Sequence, residues 1–81
     1  MTPQAATYLA KVIAMGERPL LSDLDARGRF YSQIRSSITR QINYANKGKA
    51  TEFSLPDLQA LYAELTILMD GVKNDSRTSE A

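Results

Sequence analysis

The 81-residue sequence contains no cysteine, no histidine and no tryptophan. Without cysteine no disulfide can form, and without cysteine and histidine zinc fingers, iron–sulfur clusters and nearly all transition-metal sites are excluded. The same two absences remove the usual general base near neutral pH and the thiol nucleophile. We therefore expect a protein that is not an enzyme and that takes no metal, cofactor or small-molecule substrate.

Long apolar runs and glycine-rich phosphate loops are missing as well. The longest apolar stretches fall far short of the roughly 20 residues that span a bilayer, and no secretory signal is visible at the start. The four glycines, Gly16, Gly28, Gly48 and Gly71, are isolated from one another, so they form no phosphate-binding loop. These features predict a cytoplasmic protein with no membrane partner.

The residues that are present predict one small all-α domain. A hydrophobic content of 43% is ample for a core, although a chain of this length has a thin stability margin. Apolar spacings of three and four predict helices at about 3–15, 23–46 and 55–70, followed by a disordered tail at 74–81. The short loop after the second helix predicts an antiparallel helical hairpin within a single domain, residues 1–73.

Polar residues and glycines mark the predicted helix ends. Thr2 suits the N-cap of the first helix, and Gly16 is predicted to stop it. Gly48, among basic residues, marks the end of the second helix. Ser54 followed by Asp57 is a variant of the capping box and predicts the start of the third.

The second helix has an interruption that leaves its start open. Its apolar spine consists of Leu24, Tyr31, Ile34, Ile38, Ile42 and Ala45. Gly28 costs about 1 kcal/mol relative to alanine inside a helix. The helix therefore begins either near Asp23, with Ser22 as its N-cap, or after Gly28, which would leave 19–28 as a linker. Residues 50–53 form one short extended candidate with no second strand, so no sheet is predicted.

The first helix is apolar around most of its circumference, whereas a helix at the rim of a three-helix domain needs only one apolar face. One interpretation is a docking surface that another protein or a second copy covers. The other is a central core helix between its two neighbours. On the first interpretation, the predicted protein-interface residues are Tyr8, Leu9, Val12, Ile13 and Tyr31.

Basic residues are concentrated in the middle of the chain. Residues 23–49 carry six basic and two acidic side chains, whereas residues 50–81 carry six acidic and two basic ones. Basic side chains with neighbouring serine, threonine and asparagine suit phosphate contacts. The alternative is that Arg35 and Arg40 pair with Glu64 and Asp57 across the hairpin. On the first interpretation, the candidate nucleic-acid-binding residues are Arg29, Arg35, Arg40, Lys47 and Lys49.

Two resemblances arise near the predicted loop and third helix. Residues 48–54 (GKATEFS), with Asp57-Leu58 and residues 62–65 (YAEL), resemble the end of small phage head-completion proteins, which place a β-hairpin before such a helix. Only one candidate strand precedes the helix here. A long helix, a glycine-containing loop and a shorter helix are also similar in layout to small needle-subunit co-chaperones of type III secretion. Neither resemblance covers the first helix, and no functional residue carries over.

The sequence thus favours a protein-interaction module over other classes of function. The leading hypothesis is a small adaptor, inhibitor, chaperone or structural component that binds a protein partner, itself, or both through apolar helix faces. The alternative hypothesis is a small nucleic-acid-binding protein that uses the basic face of its second helix. Salt dependence separates the two, because only the second should weaken steeply as salt rises.

Overall fold

The predicted all-α fold is confirmed. The computed structural model describes residues 1–17 and 24–80, with side chains described for residues 1–16 and 26–72. It contains three α-helices: α1 (Pro3–Glu17), α2 (Leu24–Asn46) and α3 (Leu55–Glu80). No β-strand occurs in these described ranges, so residues 50–53 form part of the loop between α2 and α3.

The predicted antiparallel hairpin of α2 and α3 is also confirmed. Arg35 donates a hydrogen bond to Thr66 at 3.3 Å, and Gly28 lies beside Val72 nearer the opposite end. The residue numbers rise along α2 as they fall along α3, so the two helices run in opposite directions. Their contact is by far the most extensive between any two of the three helices.

Helix α1 lies over the loop end of this hairpin. Thr2, at its start, hydrogen-bonds to Asp57 in the first turn of α3, while Gly16, near its end, packs against Tyr31 of α2. α1 is therefore parallel to α3 and antiparallel to α2. It is 15 residues long against 23 and 26 for its neighbours, so it covers only part of their length.

The core lies where the three helices meet. Leucine dominates the contribution of α3, because its apolar positions recur at spacings of three and four and so share one face. α1 contributes small side chains that let it approach closely. The buried hydrophobic residues are Ala5, Val12, Tyr31, Ile38, Phe53, Leu58, Leu61, Leu65 and Val72.

The carboxyl end of α2 adopts the Schellman arrangement that its glycine predicts. Gly48 has a φ of 78°, a left-handed conformation that side chains disfavour. The Gly48 N–H donates to the Ala45 carbonyl at 3.0 Å, and the Lys49 N–H donates to the Tyr44 carbonyl at 2.9 Å. These bonds satisfy carbonyls that the end of the helix leaves without partners.

The starts of α1 and α3 match their predicted caps. The Ala6 N–H donates to the Thr2 carbonyl at 3.0 Å, and the Ala5 N–H reaches the Thr2 hydroxyl at 3.4 Å. At α3, the Leu58 N–H donates to the Ser54 carbonyl at 2.9 Å. Thr2 and Ser54 therefore act as N-caps.

The open start of α2 is settled, and two other predicted boundaries differ from the structure. α2 is helical from Leu24, so it does not begin after Gly28; Ser22 and Asp23 lie outside the described residues. Gly16 was predicted to stop α1 but lies within it. α3 continues to Glu80, beyond the predicted end near residue 70, because Gly71 keeps a helical backbone. Disorder of residues 74–81 in solution stays a prediction.

Candidate interaction surfaces

The outer face of α1 remains apolar and open after the helix has packed. We define this face as Ala6, Ala10, Ile13 and Ala14. The three alanines are exposed and Ile13 is half-buried. Spacings of four place the alanines in line along the side of the helix that points away from Ala5 and Val12. α1 thus has an inner face that meets the hairpin and an outer face that meets solvent.

The predicted protein-interface residues divide between the core and the surface. Val12 and Tyr31 are only 3% and 2% exposed, so the chain itself encloses them and leaves them no surface to offer a partner. Tyr8 and Leu9 are half-buried and pack against the core. Ile13 alone among the five belongs to the outer face. Of the five predicted residues, only Ile13 therefore offers apolar surface next to the exposed alanines.

A shallow groove runs between α1 and the loop before α3. The rings of Tyr8 and Phe53 meet there with centroids 5.3 Å apart. Burial, and secondarily the charge of Glu52, raise the pKa of Tyr8, so its hydroxyl stays protonated and available as a hydrogen-bond donor near neutral pH. The groove of about 420 Å³ is lined by Pro3, Gln4, Thr7, Tyr8, Lys11, Glu52 and Phe53.

Asp57 ties the starts of α1 and α3 together. Its carboxylate accepts hydrogen bonds from the Thr2 hydroxyl at 2.6 Å and from the Thr2 backbone N–H at 3.1 Å. The Thr2 hydroxyl bond is the largest cause of a lowered pKa for Asp57, although burial opposes it. The carboxylate lies near the positive ends of two helix dipoles, which also favours its charged form. The sequence showed the local cap but gave no signal for the bond to Thr2.

The predicted nucleic-acid-binding residues also fall into two groups. Arg29, Arg40, Lys47 and Lys49 are exposed. Arg35 is half-buried, where it bonds to Thr66 and lies over the Tyr62 ring at 5.4 Å from the centroid. It therefore belongs to the α2–α3 contact.

The predicted charge pairs across the hairpin are not formed. Within the described side chains, neither Arg35 nor Arg40 makes an ion pair with Glu64 or Asp57: Arg35 turns to Thr66, and Asp57 turns to Thr2. The polar residues of the α2–α3 contact are thus joined by hydrogen bonds and ring contacts. Arg40 points away from the contact and remains exposed.

The described residues form neither a metal site nor a membrane-spanning helix. Among the side chains of residues 1–16 and 26–72, no three acidic groups come together in a way that could hold a metal ion. No helix in residues 1–17 and 24–80 combines the length and apolar character needed to cross a membrane.

Comparison with protein-family models, with curated proteins and with solved structures finds no match to this chain. The two exposed surfaces that could bind a partner are the outer face of α1 and the basic side of α2.

Proposed function

We propose that this protein is a non-enzymatic interaction module that binds a protein partner through the outer face of α1. The partner that we propose is a second copy of the same chain. The observation that carries the proposal is the exposure of Ala6, Ala10 and Ala14 beside half-buried Ile13. Removing such a face from water is favourable by about 25 cal/mol per Å² of apolar surface. A partner helix would provide that burial.

Small side chains make this face suited to helix packing. Alanines at intervals of four remove the ridge of side chains that normally keeps two helices 8–10 Å apart. A second copy presents the same alanines, so two α1 helices related by a two-fold axis would be complementary without any further feature. An 81-residue chain also has little core of its own, and association is one of the usual ways in which small domains gain stability.

Substitution of an alanine by aspartate tests the proposal. We expect the wild-type protein to form a dimer and Ala10→Asp to be monomeric, because the carboxylate would be buried without a partner. Sedimentation velocity over a wide range of protein concentrations measures the change. Leu9→Asp is unsuitable, because Leu9 packs against the core and its loss would unfold α1.

The matched control is Ala63→Asp, the same change at an exposed position in the middle of α3. It should leave the dimer intact. Circular dichroism would establish that both variants keep their helices. A wild-type protein that stays monomeric at every concentration, or a loss of dimer that is equal in the two variants, would contradict self-association through α1.

A further inference from the structure

The exposed side of α2 carries a row of polar and basic side chains, which we call the cationic face. Successive members are separated by seven, four, three and four residues, so they share one side of the helix. Arg29 and Lys47, at its two ends, are about 27 Å apart along the axis at 1.5 Å per residue. The cationic face consists of Arg29, Ser36, Arg40, Asn43 and Lys47, all of them exposed.

The cationic face has no acidic residue to neutralise it. Residues 26–51 contain six basic side chains and no acidic one. The described carboxylates lie elsewhere: Glu52 in the loop, Asp57 against Thr2, and Glu64 and Asp70 on the exposed side of α3. The net charge of the chain is only +1, so the positive potential of this face arises from the separation of charges within the fold.

The side chains between the cations identify the kind of partner. Ser36 and Asn43 offer a hydroxyl and an amide, which also donate hydrogen bonds to phosphate oxygens, although more weakly than charged groups do. Protein interfaces, by contrast, have an apolar centre that is depleted in charge. The cationic face has no apolar member, so its composition matches a phosphate backbone better than a protein surface.

The aromatic residues favour a duplex over a single strand. Binding of single strands relies on exposed rings on which bases stack, and no aromatic residue belongs to the cationic face. Tyr44, at its flank, is exposed, but Lys49 already lies over the ring at 5.4 Å from the centroid. An α-helix also fits into the major groove of B-form DNA, where its exposed side chains can reach the phosphates on either side, whereas the major groove of duplex RNA is too deep and narrow for side chains to enter.

We propose that the cationic face of α2 binds the phosphate backbone of double-stranded DNA without reading its sequence. Three basic residues on the face and Lys49 beside it correspond to three or four phosphate contacts. The logarithm of the affinity should then fall with the logarithm of the salt concentration with a slope of about −3. This proposal is independent of self-association through α1, because the two surfaces share no residue.

Fluorescence anisotropy with a labelled DNA duplex of about 20 base pairs, in about 50 mM salt and upwards, tests the proposal. We expect binding by the full chain and a loss of at least roughly tenfold in affinity when Arg29, Arg40 and Lys47 are all replaced by glutamine. A single-stranded DNA and a duplex RNA of the same length should bind more weakly. Circular dichroism would show that the triple variant keeps its fold.

The matched control is Lys11→Gln, which removes one exposed positive charge from α1. Compared with Arg40→Gln, it should leave the affinity for DNA within about twofold of the wild type. The proposal is overturned if the wild-type chain does not bind the duplex, or if Lys11→Gln weakens binding as much as Arg40→Gln. It is also overturned if polyglutamate of equal charge binds as tightly as DNA, which would assign the face to an acidic protein.

Discussion

The two ends of the α2–α3 hairpin are built from the same helices but have different cores. At the loop end, α1 closes the groove between α2 and α3, and Ile38, Leu58 and Leu61 are fully buried there. At the other end, among the residues that the structure describes, only α2 and α3 meet. Phe30, Leu68 and Met69 are half-buried at that end. Between Tyr31 and that end of the hairpin, Val72 is the one buried hydrophobic residue among those described.

This difference shows what the shortest helix contributes. Two packed helices bury only the side chains that lie directly between them. A third helix also covers the side chains on either side of that contact. The protein is accordingly elongated, with principal extents of 47, 21 and 16 Å. Regions with few buried apolar contacts open more readily than the core. The loop end should therefore be the more stable region, provided that α1 stays docked at both of its ends.

The docking of α1 at Tyr31 is the feature whose loss should have the largest effect on stability. A Cβ added at Gly16 would lie 2.6 Å from Cζ of the Tyr31 ring, and this ring is itself part of the core, with 2% of its surface exposed. Crowding of a core costs about 1–3 kcal/mol, against a gain of about 1 kcal/mol from alanine in a helix. We therefore expect Gly16→Ala to lower the free energy of unfolding by up to about 2 kcal/mol in urea denaturation.

Gly71 provides the matched control for this prediction. It is also helical, but no atom lies within 4 Å of the Cβ that alanine would add. Gly71→Ala should therefore raise the free energy of unfolding by about 0.5–1 kcal/mol through helix propensity alone. If both variants proved equally stabilised, Gly16 would not be required for the close approach of α1 to Tyr31.

The contrast between these two glycines shows how far the sequence could predict the fold. Helices, caps and the hairpin follow from local signals, such as the spacing of the leucines in α3 and the cap at Ser54, so they could be predicted. The role of Gly16 could not, because it depends on Tyr31, which approaches from another helix. The prediction that Tyr31 lies at an interface is wrong for the same reason, because its burial in the core depends on Gly16 of another helix.

The candidate surfaces were predictable to a similar degree. Helical spacing places Arg29, Arg40 and Lys47 on one side of α2, and the structure leaves that side exposed. The sequence left open whether Arg35 faces α3 or solvent, since an arginine at the edge of a helix face can point either way. The outer face of α1 was not identified as such, because an almost uniformly apolar helix gives no signal of which side it buries.

Loss of the hydrogen bonds between Thr2 and Asp57, at the start of α1, should have the second-largest effect on stability. This effect should depend on pH. The lowered pKa of Asp57 means that its ionised form stabilises the fold above about pH 4, the value in an unfolded chain. This contribution is lost as the pH falls through the lower folded pKa. We therefore expect Asp57→Asn to lower the melting temperature at neutral pH, and the difference from wild type to shrink below about pH 4.

Thermal denaturation followed by circular dichroism, at a series of pH values, measures this dependence. Thr2→Ser is the control, because serine keeps the hydroxyl that donates to Asp57 and is an equally good N-cap. It should behave as the wild type at every pH. A difference between wild type and Asp57→Asn that is as large in acid as at neutral pH would show that the charge of Asp57 does not hold α1 in place.

The smallest expected effect on stability concerns Arg35 and Arg40, which lie five residues apart in α2. Arg35 is half-buried against α3, whereas Arg40 is exposed. Arg35→Ala removes the bond to Thr66 and the contact with the Tyr62 ring, which should cost about 0.5–1 kcal/mol. Arg40→Ala makes the same change at an exposed position and should alter stability by less than about 0.5 kcal/mol. Urea denaturation measures both. Equal losses of stability would mean that Arg35 is not part of the α2–α3 contact. The expected result would show that Arg40 contributes little to stability, so that an effect of its replacement on DNA binding could not be ascribed to unfolding.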